Sequence, residues 1–186
     1  MNEIKKIVVI GPESTGKSTL CEQLAVHFKT QWCPEFAREY LLKNGAGYSF
    51  ENLLTIAKGQ IELEEKLLVE KKQRSIINHQ LSIDNYVFID TDMYVMKVWC
   101  EFVFNKCHQY ILDKIAERKY DLYLLCNIDL PWIADELREY PDEEPRKELY
   151  NIYKDILINQ NIPWVEISGS YEERLQKAIA AVNNLS

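Results

Sequence analysis

Apolar residues fall along this chain in two alternating rhythms. Compact apolar blocks occur at Ile4 to Ile10 (interrupted by Lys5 and Lys6), Gln31-Trp32-Cys33-Pro34, Tyr86-Val87-Phe88-Ile89, Tyr120 to Cys126 and Pro163 to Ser168. Short blocks rich in β-branched and aromatic residues read as buried strands. Between them the apolar positions return every three or four residues, the helical spacing. Leu20, Leu24 and Phe28 mark a helix over Lys17 to Lys29, and Glu35 to Tyr40 reads as a second, with Pro34 well placed at its start. Gly45-Ala46-Gly47 breaks it. Ser49, with Asn52 three residues on, starts a long helix with a weak form of the capping box. Its apolar face runs from Leu53, Leu54, Ile56, Ala57 and Ile61 through Leu67 and Leu68 toward Ile76 and Ile77. On the other face Glu62→Lys66 and Glu70→Arg74 are favourable pairs, so the charge run from Glu62 to Arg74 reads as a solvated surface. Asp84-Asn85 signals a turn. Further helices are expected over Tyr94 to Phe104, His108 to Arg118, Leu149 to Ile158 and Tyr171 to Leu185, and Val95, Val98, Trp99, Phe102 and Val103 are expected in the core. Strands alternating with helices define an α/β domain built on a parallel sheet.

Composition narrows the class. A chain of 186 residues is one domain of ordinary size, 1–186, and 47% hydrophobic with 27% charged residues is normal for a soluble globular protein. The net charge of −7 argues against general affinity for nucleic acid or an anionic membrane. An anionic ligand must then be held by local positive features. Five cysteines form no C-x-x-C pair and leave an odd count, which points to buried free thiols in a reducing compartment. No apolar run approaches the roughly 20 residues of a membrane span, and no signal peptide is read before the first strand, so a cytoplasmic location is expected. His27, His79 and His108 have no companions at metal-ligand spacing and are assigned no chemistry.

One octapeptide carries most of the chemistry. Gly11-Pro12-Glu13-Ser14-Thr15-Gly16-Lys17-Ser18 matches G-x-x-x-x-G-K-[ST], the P-loop, between the first strand and the first helix. A strand feeding a glycine-rich turn into a helix aims several backbone N–H groups at one point, where the helix N-terminus also favours an anion. Gly11, Glu13, Ser14, Thr15, Gly16, Lys17, Ser18 and Thr19 are therefore expected to bind the phosphates of ATP. Lys17 reaches the β/γ-phosphates and the Ser18 hydroxyl ligates Mg²⁺.

Three further segments suit such a site. Phe88-Ile89-Asp90-Thr91-Asp92 has the form of a Walker B element, in which Asp90 supports the metal beside Ser18. Asp92 shares the face of Asp90 if the strand persists that far. Glu35 and Arg38 emerge at the end of the second strand, where open α/β sheets bind ligands, although Glu35 also favours a helix dipole in its own right. The segment of about 129–147, with two prolines and dense charge over Asp135 to Arg146, reads as a mobile lid. Arg138 and Arg146 are its candidate arginines for neutralising transferring phosphate, with pairing to the neighbouring acids as the alternative.

The chain resembles, from end to end, the ribosylnicotinamide kinase domain of bacterial NAD-salvage proteins. The resemblance rests on the P-loop, Glu35-Phe36-Ala37-Arg38-Glu39, Phe88-Ile89-Asp90-Thr91-Asp92 and Pro131-Trp132-x-x-Asp135-x-Leu137-Arg138. It implies a three-layer P-loop nucleoside/nucleotide-kinase-like fold, a five-stranded parallel sheet flanked by helices with a lid. It also implies ATP-dependent phosphorylation of the ribose 5′-hydroxyl of nicotinamide riboside, a small-molecule acceptor, to give nicotinamide mononucleotide. Lys17, Glu35, Arg38, Asp90, Asp92 and Arg138 are the catalytic candidates; the general base stays open among Glu35, Asp90 and Asp92. Ala134 and Glu136 depart from the family's lid pattern, Trp32, Phe36 and Tyr40 are the aromatics available for the pyridinium, and no adenylyltransferase domain is read alongside the kinase. The acceptor pocket is expected between Glu35–Tyr40, the end of the Asp90–Asp92 strand and the helix after Ser49, with Glu39 and Glu62 near its mouth. Other readings are a P-loop kinase for a different small nucleoside or metabolite, and a regulatory NTPase or nucleotide sensor.

Overall fold

In the computed structural model, residues 3–77 and 85–185 are described. The elements are β1 (Lys5–Ile10), α1 (Lys17–His27), β2 (Gln31–Cys33), α2 (Phe36–Asn44), α3 (Phe50–Ile77), β3 (Tyr86–Asp90), α4 (Met93–Phe104), α5 (Gln109–Glu117), β4 (Leu122–Cys126), α6 (Glu143–Ile158), β5 (Trp164–Ile167) and α7 (Tyr171–Asn183). The strands form one sheet in the order β2-β3-β1-β4-β5, and every pairing is parallel. Asp84, His79 and the other residues of 78–84 lie outside the described residues, as do the side chains of 74–77.

The run Ile7-Val8-Val9-Ile10 is apolar without alternation because both faces of the sheet are covered. Ile7 and Val9 pack with Leu20, Leu24, Ala178 and Val182 of α1 and α7. Val8 and Ile10 point the other way, toward Val95 and Val98 of α4 and Tyr153 and Leu157 of α6. A third cluster joins α2, α3, α4 and α5 through Leu41, Leu53, Ile56, Met96 and Ile111. Gly59 makes that junction possible, since a Cβ there would stand 2.2 Å from the Phe36 ring. Among the described residues no helix is long and apolar enough to cross a membrane.

Most expected elements are present, with three differences. The long helix starts where Ser49 and Asn52 exchange hydrogen bonds, Asn52 N–H to the Ser49 hydroxyl and Ser49 N–H to the Asn52 side chain. Its charge run is not all solvated: Glu64 is 1% exposed. Arg118 pairs with it at 2.7 Å, Lys6 approaches at 3.8 Å and the Tyr120 hydroxyl donates to it. Val103, expected in the core, is exposed on the outer face of α4. The lid segment is shorter than its composition suggests, because α6 begins at Glu143. Glu143 and Glu144 favour the positive end of a helix, and Pro145 needs no N–H partner in the first turn, so residues that read as loop start the helix. Arg146 therefore sits on α6 and not in the loop.

Candidate active site

β1 is the point where the chain changes direction across the sheet, with β3 on one side and β4 on the other. Open α/β sheets bind ligands in the crevice at such a point, beyond the strands' carboxyl ends. Here a cavity of about 510 Å³ opens there. Its floor is the segment Gly11–Thr19 at the end of β1, and Asp90 enters from the end of β3.

The floor is held from below. Gly11 has φ +145°, and a Cβ would stand 2.8 Å from the Cys126 carbonyl oxygen, so only glycine brings the turn so close to β4. The Thr15 hydroxyl donates to the Pro12 carbonyl and the Lys17 ammonium donates to the same oxygen, each at 2.8 Å. Arg174 on α7 donates to the carbonyls of Thr15, Asn127 and Gly169, at 3.0, 2.9 and 2.8 Å, and also pairs with Asp129. Neither Arg174 nor its anchoring role stood out in the sequence. Its neighbours Ser170 and Glu173 form a true capping box that the residue types alone announce.

The Ser18 hydroxyl donates to Asp90 Oδ2 at 2.5 Å, while Asp90 Oδ1 is buried without a partner. Two hard oxygen ligands with a free lone pair beside a phosphate cradle fit a Mg²⁺ ion, which keeps several waters and uses few protein ligands. Burial raises the pKa of Asp90, with Lys17 and Ser18 opposing the shift.

Glu35 is the residue before α2 and lines the cavity. Burial, reinforced by the Asp90 charge, pushes its pKa up to about 7, with Lys17 and Arg38 opposing. Gln60 of α3 fixes this corner: its side-chain oxygen accepts from Phe36 N–H at 2.7 Å, and its amide faces the carbonyls of Pro34 and Asp90 at 3.3 and 3.4 Å.

Asp92 is placed elsewhere. β3 ends at Asp90, Thr91 turns with φ +79°, and Asp92 caps α4. Its carboxylate accepts from the N–H groups of Tyr94 and Val95 and from the Tyr123 hydroxyl, and it does not line the cavity. The expectation that it shares the face of Asp90 fails because the strand does not persist. Glu39 and Glu62 are exposed and stand away from the cavity.

The walls correct the expected pocket. None of α3 lines it; α4 does, through Val95, Trp99 and Phe102, together with Leu149 and Tyr153 of α6. Of the aromatics named from sequence, Trp32 lines the cavity, whereas Phe36 packs on Gly59 and Tyr40 accepts from Asn52.

The roof is the loop between β4 and α6. The Glu13 carboxylate accepts the N–H groups of Glu139 and Tyr140 at 3.0 and 2.6 Å, and the Ser14 hydroxyl accepts from Ile133 N–H. Arg38 pairs with Asp135 at 2.8 Å, and Arg138 donates to the Ile133 carbonyl. Tyr48 links roof to wall, accepting from Trp99 Nε1 and donating to Glu139. So Glu13 and Ser14, expected at the phosphates, direct their side chains to the roof. Arg38 and Arg138 line the cavity but are engaged by that loop.

This sheet order with a phosphate-binding turn at the switch point is that of the P-loop kinases. The chain belongs to the AAA domain family (AAA_28), whose sequence pattern matches residues 6–174. It is 27% identical over 98% of its length to the Trifunctional NAD biosynthesis/regulator protein NadR of Escherichia coli (strain K12). It covers 43% of that relative, so it spans less than half the length of the curated protein it matches. Among solved structures it resembles a NadR protein in complex with NR, with a TM-score of 0.74 and 23% identity, covering 97% of this chain and 49% of that one. Deoxyadenosine kinase from M. mycoides with bound dATP matches at a TM-score of 0.60 and 11% identity, covering 96% and 99%.

Proposed function

We propose that this chain is an ATP-dependent kinase that phosphorylates the ribose 5′-hydroxyl of nicotinamide riboside, giving nicotinamide mononucleotide for NAD salvage. The observation that carries the reading is the meeting of Glu35, Lys17 and the Ser18–Asp90 pair in one cavity under aromatic walls. A volume of about 510 Å³ suits a nucleoside beside a triphosphate tail. The likeness to NadR, including its complex with NR, points to the acceptor. A pyridinium cation is well served by Trp32, Trp99 and Phe102 and by a nearby carboxylate. A cytoplasmic enzyme goes with this reading.

Phosphoryl transfer is mainly positioning and charge neutralisation. Backbone N–H groups of the P-loop and Lys17 hold the triphosphate. Ser18 and Asp90 would hold Mg²⁺, which neutralises phosphate charge. Glu35 accepts the 5′-hydroxyl proton as the new O–P bond forms and the bond from γ-phosphorus to ADP breaks. Asp90 would serve the cation and Asp92 is engaged by α4, so the reading gives the role of base to Glu35.

Steady-state kcat/KM over nicotinamide riboside, uridine, thymidine and nucleoside monophosphates tests the reading. Nicotinamide riboside is expected to be the best acceptor and the monophosphates not to react; preference for any neutral nucleoside overturns the substrate assignment. Lys17→Ala should abolish transfer in each case while the melting temperature stays within a few degrees. Loss of cooperative folding or near-normal turnover in that variant would remove Lys17 from the phosphate site.

A further inference from the structure

The cavity has two apolar ends, and the sheet order separates them. β2 and β3 lie on one side of β1, and β4 and β5 on the other. Trp32 of β2, with Trp99 and Phe102 of α4, which follows β3, forms the end assigned to the acceptor, where Glu35 also stands. Pro131 and Ile133, which follow β4, and Tyr171, which follows β5, form the other end. The P-loop touches this second end: a Cβ at Gly16 would stand 3.1 Å from Leu130 Cδ1 and 3.3 Å from Tyr171 Cε1. Tyr171 is 44% exposed and Ile133 58%, so an aromatic and an aliphatic face stand open beside the phosphate cradle. With the acceptor at the Glu35 end, the nucleoside of a triphosphate seated in the cradle leaves toward the Tyr171 end.

The polar groups around Tyr171 are already engaged. Gly169 N–H donates to Asp129 Oδ2 at 2.6 Å, and its carbonyl accepts from Arg174 Nε at 2.8 Å. The other Asp129 oxygen pairs with Arg174. The carbonyl and hydroxyl of Ser168 both accept from the Lys177 ammonium at 2.9 Å. Ser170 donates its N–H and hydroxyl to Glu173, at 2.8 and 2.9 Å, and the Asn127 amide donates to Glu166 at 3.0 Å. A site rejects a wrong base strongly only where that base would leave one of the site's hydrogen-bonding groups unpaired. Stacking is tolerant, because every base has a π face.

We propose that the Tyr171 end holds the donor's nucleobase by stacking without reading its hydrogen-bonding edge, so that GTP, CTP and UTP serve as phosphoryl donors alongside ATP. This rests on the kinase reading of the same site. The transfer is the same with each donor: the acceptor oxygen bonds to the γ-phosphorus, the bond to the leaving nucleoside diphosphate breaks, and the hydroxyl proton passes to Glu35.

Two measurements on the full chain test it. Steady-state kcat/KM with nicotinamide riboside should stay within about tenfold across ATP, GTP, CTP and UTP. Calorimetric titration without acceptor compares Mg-AMP-PNP and Mg-GMP-PNP with Mg-tripolyphosphate, which has no base. Tyr171→Ala should weaken both nucleotides alike, by a factor on the order of 10, and tripolyphosphate by less than about twofold. Tyr171→Phe keeps the ring and should return both nucleotides to within about threefold of wild type. A preference for ATP of about 100-fold or more, or a loss in Tyr171→Ala confined to AMP-PNP, would show that the base is read and overturn the proposal. Equal weakening of tripolyphosphate, or no weakening of either nucleotide, would remove Tyr171 from base binding and overturn it as well. Should Tyr171→Ala fail to fold, the donor series on the wild type still decides. If both nucleotides bind alike through Tyr171 and none phosphorylates nicotinamide riboside, the acceptor reading fails and the tolerant nucleotide site stands.

Discussion

Arg174 and Arg146 are both withdrawn from water, at 2% and 5% exposure, yet they sit in opposite kinds of surroundings. Arg174, under the P-loop, gives its Nε, Nη1 and Nη2 donors to three carbonyls and pairs with Asp129. Arg146, in the first turn of α6, leaves Nε and Nη2 without partners among the described residues. The first guanidinium is saturated by the protein, and the second is not. A saturated guanidinium fixes the shape of the cradle, so the phosphates meet N–H groups that need no rearrangement. An unsaturated one carries a desolvation cost that no partner offsets. The same division separates the carboxylates: Asp92 is fully engaged beneath α4, while Asp90 and Glu35 line the cavity and Asp90 Oδ1 has no partner among the described residues.

The sharpest way to break this contrast is to remove each arginine in turn. Arg174→Met deletes one partner of a buried, fully bonded group and leaves four acceptors without their donor. Breaking such a pair costs about 3–5 kcal/mol, which in a chain of this size lowers the melting temperature by roughly 10 °C or more. Arg146→Met should show no fall. A calorimetric scan of both variants decides it: equal melting temperatures would mean that the two guanidiniums do not differ in the way the hydrogen bonds indicate.

The floor was largely legible in the sequence and the roof was not, for physical reasons. A P-loop declares itself because its chemistry is local: Gly11, Gly16, Lys17 and Ser18 act from one continuous turn. Asp90 followed because it closes a buried apolar strand. Glu35 could be placed because it follows a strand end. Arg174 looked like any charge on an amphipathic helix, since its three carbonyl partners come from the residue after β4, the P-loop and the β5–α7 turn. The roles of Glu13, Tyr48 and Trp99 depend on which loop crosses over which strand, and no spacing along the chain encodes that. Arg146 was noticed but misplaced, because proline and acidic residues read as loop also suit the first turn of a helix. Asp92 was misassigned by one peptide: a left-handed Thr91 ends the strand and turns the next carboxylate under α4.

Glu35→Gln probes the carboxylate at the start of α2 that lines the cavity. Loss of a general base should lower kcat/KM by a factor on the order of 10² to 10³. Wild-type kcat/KM should fall about tenfold per unit as pH drops below about 7, where the carboxyl keeps its proton, and flatten above it. The variant should lose that limb. Stability runs in the opposite direction. The folded pKa lies above the ordinary 4.5, so this group's stabilisation is complete below 4.5 and is lost as pH rises through about 7. Glu35→Gln should therefore gain in melting temperature relative to wild type between pH 5 and 8. A pH profile unchanged by the substitution would assign the proton to another group.

The smallest effect expected is that of Tyr48→Phe, which separates roof from wall. Its hydroxyl accepts from Trp99 Nε1 at 2.8 Å and donates to Glu139 at 2.9 Å, while Glu139 N–H is bound by Glu13 of the P-loop. The chain Trp99–Tyr48–Glu139–Glu13 thus joins the acceptor wall to the phosphate floor across the roof. Phenylalanine keeps the ring's edge-to-face contact with Trp99, at 4.9 Å between centroids, and deletes only the two hydrogen bonds. Since Glu139 is exposed, the loss of stability should be about 1 kcal/mol, a fall of roughly 3 °C. The affinity for Mg-ADP should stay within twofold, because the floor keeps its own anchors. The acceptor KM should rise several-fold with kcat nearly unchanged, as the Trp99 ring loses the bond that orients it. A change in nucleotide affinity larger than that in acceptor KM would show that the roof bears on the floor, and that the two are one unit.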